Sequence, residues 1–316
     1  MDAAAEPMHH RLVAPALDGP ITGGTLYNRF LCEALSRRGD RVEVVARPED
    51  CEGFAWVDSL FLPEVAEQWS QRPMGLLAHY LPSVFEGRAT LEPFEALALR
   101  HAAMIVCTGA WMLDTVTQLG VPPERLVLVE PGVSEAAGVV DPVEGLMTAL
   151  LVGTVTRRKG VLELIEGLRR TPPTEPWRLE VLGDQDADPK YAQACIEAAS
   201  GLPVSFLGAR PPAEALQLIA RAHVLVSAAS IESYGMAIAE AQACGVPVLA
   251  RRGGHVAQLV RRVPSGVVVD DVDGLVAALH RCVAETGYVG ELREVSRTHR
   301  PQRTWGDAAG EFRRLR

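Results

Sequence analysis

Short runs of apolar, β-branched residues alternate with amphipathic stretches along almost the whole chain. The run 41–46 (RVEVVA) is typical of a buried strand, as are the runs 104–108 and 224–227. Between such runs, apolar residues recur at helical spacing, as in 26–35, which predicts helices. Parallel strands need long crossover connections, usually helices, so this alternation predicts an α/β fold with parallel sheets.

The alternation forms two successive series, which predicts two domains. A chain of 316 residues is long enough for two, because domains commonly hold ~100–200 residues. The first series predicts helices that include 94–101 and 111–119, and strands at 11–15, 41–46, 75–78, 104–108 and 125–130. The second predicts strands at 148–152, 178–182, 204–207, 224–227, 246–250 and 266–269, joined by helices at 161–170, 191–200, 212–222, 236–244 and 274–285.

A linker is expected at 131–145 (PGVSEAAGVVDPVEG), where Gly, Pro and acidic residues occur without periodicity. We therefore predict an N-terminal domain at 1–135 and a C-terminal domain at 146–299, with a helix at about 300–316 that packs back onto the first. Doubly wound domains that face each other across a cleft would present the carboxyl edges of their sheets to it. Ligands of α/β proteins bind at such edges.

Composition narrows the class of protein. The 31 Lys and Arg residues are outnumbered by 40 Asp and Glu residues, giving a net charge of −9, which argues against a nucleic-acid partner. The six cysteines lie far apart with no C-x-x-C pair, and no segment has the ~18 consecutive apolar residues of a membrane span. These features predict a cytoplasmic enzyme in a reducing compartment.

The densest chemical signal is the segment 227–245 (SAASIESYGMAIAEAQACG). A buried strand ends in a loop of small residues that holds Glu232, and the helix predicted after Gly235 carries Glu240. Both carboxylates could face a ligand docked at the helix N-terminus, whose free N–H groups suit a phosphate. The alternative is that Glu232 caps the helix and Glu240 lies on a solvated face.

A second signal is 152–160 (VGTVTRRKG), again at a junction of strand, loop and helix. Arg157, Arg158 and Lys159 are consecutive there. Three cations at one loop could neutralise a diphosphate, Lys as a point charge and Arg as a bidentate fork. The alternative is a solvated basic turn. The loop is not a Walker motif, because no G-K-[ST] follows at the required spacing.

Together these segments resemble the retaining glycosyltransferases of family 4, which have the GT-B fold. The resemblance extends over EVLGDQD (180–186), the stretch 204–254 and the terminal W-x-x-A-A-x-x-F (305–312), and more loosely over 19–45 and 121–133. It implies two Rossmann-like doubly wound domains, the first for the acceptor and the second for the donor. The implied partners are a nucleoside diphosphate sugar and a small-molecule or lipid-linked acceptor, with no metal and no cofactor.

The resemblance also implies roles for single residues. Glu232 would lie near the donor sugar hydroxyls, Lys159 at the diphosphate and His79 beside the transferred sugar, and these are the predicted catalytic residues. The predicted donor-binding residues are Gly23, Gly24, Arg158, Arg210, Ser233, Tyr234, Gly235, Met236 and Glu240. Among them, Glu240 would bind the nucleotide ribose and Arg210 would lie near the base. Gly235 and Met236 would supply backbone amides to phosphate or sugar, and Gly23 and Gly24 would close over the donor from the other domain.

One departure from the family keeps other functions open. Thr154 stands where many relatives carry an arginine, so one diphosphate cation is missing unless Arg157 or Arg158 replaces it. The first domain is also compact. A non-catalytic sugar-nucleotide-binding partner and a GT-B sugar-nucleotide epimerase are therefore alternatives to a transferase.

Two further features are interpreted as structural rather than catalytic. Asp184, Asp186 and Asp188 resemble a metal-binding Asp-x-Asp motif of another transferase fold, but a solvated loop is the favoured interpretation. The C-terminus is basic, which fits either peripheral contact with anionic lipid or, as we favour, a solvated helix face. Its arginines are Arg293, Arg297, Arg300, Arg303, Arg313, Arg314 and Arg316.

Overall fold

A computed structural model describes residues 6–47, 53–134, 138–142, 146–285 and 287–315. The chain divides into two compact units, one formed by Met1–Gly132 with Thr304–Arg316 and the other by Val133–Arg303. Each unit holds a six-stranded, fully parallel sheet with helices beside it, which confirms the predicted α/β class. Residues 135–137 and 143–145 of the expected linker lie outside the described residues.

The sheet of the first unit has the strand order β2-β1-β3-β4-β5-β6. Its strands are β1 (His9–Val13), β2 (Arg41–Val45), β3 (Trp56–Asp58), β4 (Gly75–Ala78), β5 (Met104–Cys107) and β6 (Leu126–Leu128). The helices are α1 (Gly23–Arg37), α2 (Pro82–Phe85), α3 (Pro93–His101) and α4 (Ala110–Gln118). The order reverses beside β1, so the loops after β1 and β3 leave from the switch point where ligands bind in such folds.

Helix α1 begins earlier than the glycine-rich sequence suggested. The helical spacing of apolar residues began at residue 26, but Gly23 and Gly24 already lie in the first helical turn. Thr22 caps this turn, because its hydroxyl accepts a hydrogen bond from the Thr25 amide at 3.2 Å while the Thr25 hydroxyl accepts one from the Thr22 amide at 2.9 Å. Such a reciprocal cap satisfies two backbone donors and outweighs the low helix propensity of glycine.

The sheet of the second unit has the order β12-β11-β10-β7-β8-β9, which is that of a Rossmann fold. Its strands are β7 (Met147–Val152), β8 (Trp177–Leu182), β9 (Val204–Gly208), β10 (Val224–Ser227), β11 (Val248–Arg251) and β12 (Val267–Val269). The helices are α5 (Val161–Arg170), α6 (Pro189–Ala199), α7 (Pro212–Arg221), α8 (Met236–Ala243), α9 (Val256–Val260), α10 (Val272–Ala284) and α11 (Tyr288–Thr298). The sequence patterns did not predict α9 and α11.

The second sheet is buried on both faces. Along β7, Ala149 and Leu151 join the apolar cluster under α5 and α10, whereas Leu150 joins the cluster under α7 and α8. Residues that alternate along a strand point to opposite faces of the sheet. A central strand that is covered on both faces has a continuously apolar sequence, which is why a strand at 148–152 could be predicted.

The last helix, α12 (Trp305–Phe312), belongs to the first unit. The Trp305 ring packs edge-on against Tyr27 of α1 at a centroid distance of 5.5 Å, and Phe312 packs on Trp56 of β3 at 4.8 Å. Arg313 follows the helix and pairs through Nε with Asp40 at 3.1 Å. Apolar rings and one buried ion pair therefore fix the end of the chain to this sheet.

The interpretation of the C-terminal arginines as solvated is wrong for Arg293. This residue is 4% exposed, and its guanidinium donates to the carbonyl oxygens of Ala222 at 2.6 Å and Val140 at 2.7 Å. Carbonyl oxygens at the end of α7 have no helical partner, so a buried arginine that satisfies one of them is stabilising. Burial lowers the pKa of Arg293 to about 10.

Candidate functional site

The predicted site residues fall into two groups, one in each unit. In the second unit all of them except Arg210 lie after β7 and β10, the neighbouring strands at which the sheet order reverses. A 3₁₀ turn, Arg157–Lys159, leads from β7 into α5, and the loop after β10 carries Glu232. The sheet order thus brings together two segments about seventy residues apart, as the switch-point rule predicts.

Lys159 and Arg158 both contact Glu232. The Lys159 ammonium donates a hydrogen bond to Glu232 Oε1, and Arg158 Nη1 lies 3.7 Å from Glu232 Oε2. The side chains of Lys159 and Glu232 are 16% and 15% exposed. Burial alone would raise the pKa of Glu232, but the two cations outweigh it and hold that pKa below its usual value. Glu232 is therefore an ionised carboxylate at neutral pH.

The basic turn is packed tightly against the loop that holds Glu232. Ser230 donates its amide to the Arg158 carbonyl at 2.9 Å, and Arg158 Nη1 donates to the Ile231 carbonyl at 3.0 Å. Gly160 has a φ of +67°, and a Cβ there would overlap the Ala228 carbonyl oxygen. Only glycine combines this backbone conformation with such a close approach. The backbone around Arg158 and Lys159 is therefore fixed by packing, and these two cations do not lie on a freely solvated turn.

A glycine pair after β11 holds the backbone of Glu232, a role that the sequence patterns did not reveal. Gly254 forms an isolated parallel bridge with Glu232, and the next amide, that of His255, donates to the Glu232 carbonyl at 2.9 Å. Gly254 has a φ of +59°, and a Cβ on it would overlap the same carbonyl oxygen. Gly253 approaches Ser230 equally closely. The two adjacent glycines in RRGGH were the available signal.

Helix α8 begins beside this cluster with its N-terminus open. Gly235 has a φ of +102° and offers no side-chain cap, so the first amides of the helix, beginning at Met236, are not satisfied by a capping residue. Ser233 is partly buried just before it. Tyr234 is 5% exposed and its ring stacks on His255 at 5.2 Å, so this side chain belongs to the packed core.

Glu240 lies about one turn into α8 and is partly buried. Within the described residues its carboxylate makes no hydrogen bond or ion pair. Burial without a partner raises its pKa to about 7. The alternative that Glu240 lies on a freely solvated face is therefore wrong.

The other predicted basic residues are less confined. Arg157 is exposed, and its guanidinium lies 5.5 Å from the centroid of the Tyr191 ring. Arg210 is exposed after β9 and makes no ion pair within the described part of the chain. Thr154 lies in the turn after β7. Of the two arginines considered as a replacement for the missing cation, Arg158 is the one that lies with Lys159.

The acidic loop after β8 has the geometry of a local turn. Asp184 accepts a hydrogen bond from the Asp186 amide at 2.9 Å, and Asp188 caps α6 by accepting from the Tyr191 amide at 3.2 Å. No group of three or more His, Cys, Asp or Glu side chains within the described ranges is arranged to hold a metal. No helix in the same ranges is long and apolar enough to cross a membrane.

In the first unit, His79 follows β4 directly at the carboxyl edge of the sheet. It is 7% exposed, and its Nε2 lies 2.9 Å from Oδ1 of Asn28 on α1. Burial lowers its pKa below the usual value, with the Asp58 carboxylate opposing that shift. A Cβ on Gly24 would lie 3.6 Å from the His79 ring, whereas one on Gly23 would meet nothing within 4 Å. Gly24 and His79 are therefore neighbours.

The second unit matches the family described as Glycosyl transferases group 1, over residues 147–285. Among curated proteins, the chain is 26% identical over 242 residues to the D-inositol 3-phosphate glycosyltransferase of Pseudarthrobacter chlorophenolicus, covering 68% of this chain and 57% of that protein. It is 25% identical over 311 residues to the lipopolysaccharide core biosynthesis glycosyltransferase LpsE of Rhizobium meliloti, covering 87% of this chain and 90% of that protein. The chain thus spans little more than half of the first relative.

Solved structures resemble the chain over nearly its full length. Sucrose-phosphate synthase from Thermosynechococcus elongatus aligns with a TM-score of 0.78 and 18% identity over 98% of both chains. Anabaena HepE, solved with UDP and glucose, aligns with a TM-score of 0.75 and 15% identity over 98% of this chain and 99% of its own. These similarities, with the two Rossmann-like sheets, identify the architecture as the GT-B fold.

Proposed function

We propose that this chain, which has the GT-B fold and matches the group 1 glycosyl transferases over its second unit, is a glycosyltransferase of family 4. It transfers a sugar, with retention of configuration, from a nucleoside diphosphate sugar to an acceptor hydroxyl. The curated relatives that it matches are named as glycosyltransferases, which supports this class of reaction.

The observation that carries the proposal is the pairing of Lys159 and Arg158 with Glu232 at the switch point of the second sheet. Breaking the bond between a sugar and a nucleoside diphosphate develops negative charge on the leaving phosphate. It also develops positive character on the sugar. Two fixed cations beside one fixed carboxylate match this separation of charge, and preorganised charges of this kind lower a barrier without reorganisation cost.

In the proposed complex, Lys159 and Arg158 bind the donor diphosphate and Glu232 orients the sugar. The amides that begin α8, at Gly235 and Met236, donate to phosphate or sugar oxygens, since a helix N-terminus favours anions. Glu240 accepts hydrogen bonds from the ribose. Backbone groups of Ser233 and Tyr234 complete the contact, and Arg210 lies near the base.

The residues of the first unit contribute at the sugar. His79 contacts a hydroxyl of the transferred sugar or of the acceptor, and Gly23 and Gly24 leave room for the donor beside it. A His that is kept neutral by burial suits this role, because a neutral imidazole offers one acceptor and one donor nitrogen.

The proposed reaction needs no metal or cofactor. A divalent ion would balance the diphosphate charge in a transferase that lacks cations, but Lys159 and Arg158 supply two positive charges at that place. We expect donor binding and turnover to survive a chelator. A preparation inactivated by chelation would contradict this part of the proposal.

The names of similar proteins bear on the acceptor. HepE was solved with UDP and glucose, and LpsE is named for lipopolysaccharide core biosynthesis, so we propose a small-molecule or lipid-linked acceptor for this chain.

The cysteines bear on the compartment. Those that the structure describes are free and buried: Cys32, Cys107, Cys195, Cys244 and Cys282. Free thiols fit a reducing compartment, which supports a cytoplasmic location.

A panel of nucleoside diphosphates tests the donor site. UDP, GDP, ADP, CDP and TDP are each added to the protein, and the melting temperature is followed. A ligand at 100 times its Kd stabilises a protein by about 2.7 kcal/mol, so one member of the panel is expected to raise the melting temperature by several degrees. Nucleotide release from the matching nucleotide sugars then separates an enzyme from a binding protein. A panel without any shift would overturn the proposal.

A further inference from the structure

A chain of three buried polar side chains crosses the carboxyl edge of the first sheet. Asn28 lies on α1, Asp58 ends β3 and His79 follows β4. Asn28 and Asp58 are 0% exposed. Asn28 Nδ2 donates to Asp58 Oδ2, and Asn28 Oδ1 lies 2.9 Å from His79 Nε2. The other carboxylate oxygen, Asp58 Oδ1, accepts from the Leu60 amide at 2.8 Å.

The direction of these hydrogen bonds is set by the carboxylate. A carboxylate only accepts hydrogen bonds, so the amide nitrogen of Asn28 must face Asp58 and the amide oxygen must face the ring. An amide oxygen also only accepts. The His79 atom opposite it, Nε2, must therefore carry the proton, and in a neutral ring the other nitrogen, Nδ1, then has none.

The backbone of the same edge fixes where the ring lies. The Ser59 hydroxyl oxygen accepts hydrogen bonds from the His79 amide at 3.1 Å and from the Tyr80 amide at 3.0 Å. The Tyr27 ring meets the His79 ring edge-on at a centroid distance of 4.8 Å. His79 Nδ1 makes no hydrogen bond with the part of the chain that the structure describes. Position and tautomer are thus both determined, and Nδ1 has no partner among the described residues.

We propose that Asp58 and Asn28 are positioning residues that hold His79 as the Nε2–H tautomer, so that Nδ1 is presented as a hydrogen-bond acceptor for a substrate hydroxyl. The inference rests on the proposed glycosyltransferase function for its effect on catalysis. The tautomer itself does not depend on that function. A hydroxyl held by a neutral imidazole is oriented without an added charge, whereas a rotating or protonated ring would orient it poorly.

The charged and titratable groups that face His79 are Asp58 of β3 and Tyr27 of α1. Burial lowers the pKa of His79 and the Asp58 carboxylate raises it. Because the neutral ring is the active form, kcat falls as the pH drops through the His79 pKa in the folded protein. Removing the Asp58 charge lowers that pKa further, and placing a carboxylate directly on Nε2 raises it.

Three variants separate a positioning role from a structural one. Asn28→Ala and Asp58→Asn release the ring, so kcat is expected to fall about tenfold, the size of one lost hydrogen bond, while the donor KM changes less than about threefold. The double variant Asn28→Asp with Asp58→Asn restores an acceptor on Nε2 and is expected to recover most of that kcat. The acid limb of the pH profile, where kcat falls as the pH drops, is expected to move to lower pH in Asp58→Asn and to higher pH in the double variant.

A matched control removes another buried carboxylate from the same unit. Asp40 lies before β2, at the amino edge of the sheet, and contacts His10 Nε2 at 3.3 Å. Asp40→Asn is expected to lower the melting temperature and to leave kcat unchanged. If Asp58→Asn behaves like Asp40→Asn, or if the acid limb does not move in opposite directions, the positioning role is overturned.

The tautomer can be measured in the unchanged protein. In a ¹⁵N-labelled sample, the ring signals of His79 are those that disappear in His79→Gln. A protonated Nε2 and an unprotonated Nδ1 at neutral pH are expected. A proton on Nδ1 would overturn the proposal whether or not the variants fold, and whether or not a donor has been found.

Discussion

Lys159 donates a hydrogen bond to Glu232, and the two residues are 73 positions apart in the chain. The bond joins the turn after β7 to the loop after β10 across the switch point of the second sheet. The carboxylate compensates two partly buried cations, and the cations keep the carboxylate ionised. A donor diphosphate would therefore meet positive groups that are already ordered.

Glu232→Gln is expected to abolish most turnover while retaining nucleotide binding. The amide keeps the size of the side chain but loses the charge that faces the developing positive sugar, and such a loss costs about 100-fold or more in kcat. Steady-state kinetics and calorimetric titration with the active nucleotide measure the two effects. Glu180→Gln is the matched control, because Glu180 is 18% exposed and pairs with Arg178 at 3.2 Å in the same unit. Equal kcat in both variants would remove Glu232 from the mechanism.

Gly254→Ala is expected to disable the site by displacing the backbone of Glu232. The added Cβ overlaps the Glu232 carbonyl oxygen, and the positive φ of Gly254 adds strain of about 1–2 kcal/mol, so the loop carrying Glu232 must shift. A displacement of about 1 Å can cost 100-fold in rate. We expect a large loss of kcat together with a comparatively small decrease in melting temperature. Gly201→Ala, which has a similar φ of +79° but nothing within 4 Å of the Cβ, serves as the control.

Glu240 is expected to release a proton when the nucleotide binds near pH 6. Its pKa of about 7 in the free protein lies above the usual carboxyl value, so at that pH the folded protein holds a proton there. Ribose hydroxyls donate to the carboxylate and lower the pKa on binding. Titration calorimetry of the nucleoside diphosphate that stabilises the protein, in buffers of different ionisation enthalpy, measures the number of protons released by the wild type and by Glu240→Gln. An identical count in both would contradict the ribose contact.

The same shift has a consequence for stability. The unfolded carboxyl loses its proton near pH 4.3, whereas the folded one keeps it until about pH 7. Glu240 therefore costs stability progressively as the pH rises between these values, and Glu240→Gln should gain stability over the wild type between pH 5 and 7. Denaturant unfolding of both proteins at several pH values tests this. A constant difference across that range would contradict it.

Gly24→Ala is expected to leave folding intact and to reduce activity. A Cβ there meets the His79 ring at an ordinary 3.6 Å, and an alanine in a helix is more stable than glycine by about 0.5–1 kcal/mol. The new methyl group would occupy space beside His79 that the donor is proposed to use. Gly290→Ala, on α11 with open space around its Cβ, should gain stability without loss of kcat. Unchanged kcat in Gly24→Ala would remove it from the donor site.

Elements with strong local signals were predictable from the sequence. The ranges 75–78, 161–170 and 224–227 coincide with β4, α5 and β10. Lys159 and Glu232 were recognisable because each follows a buried strand within a loop rich in small or basic residues. Their mutual contact required the sheet order as well, which places the ends of β7 and β10 side by side.

The hydrogen-bond network of Asp58, Asn28 and His79 in the first unit could not be predicted from the sequence. Strand β3 has only three residues, too few for a periodic pattern, and it supplies Asp58. Asn28 lies within an amphipathic helix, where one polar residue on the buried face resembles ordinary variation. Asn28 and His79 are 51 positions apart, and only tertiary packing makes them neighbours. The interaction became recognisable only in the structure, where Asn28 and His79 are both buried.

Calorimetric titration of matched nucleoside mono- and diphosphates tests the donor site most directly. The nucleotide that stabilises the protein is titrated in both forms into the wild type and into Lys159→Ala. The account predicts that the wild type prefers the diphosphate by about tenfold or more, the size of one charge-assisted hydrogen bond, and that Lys159→Ala loses this preference. Equal affinity of the wild type for both forms, or an undiminished preference in Lys159→Ala, would contradict it.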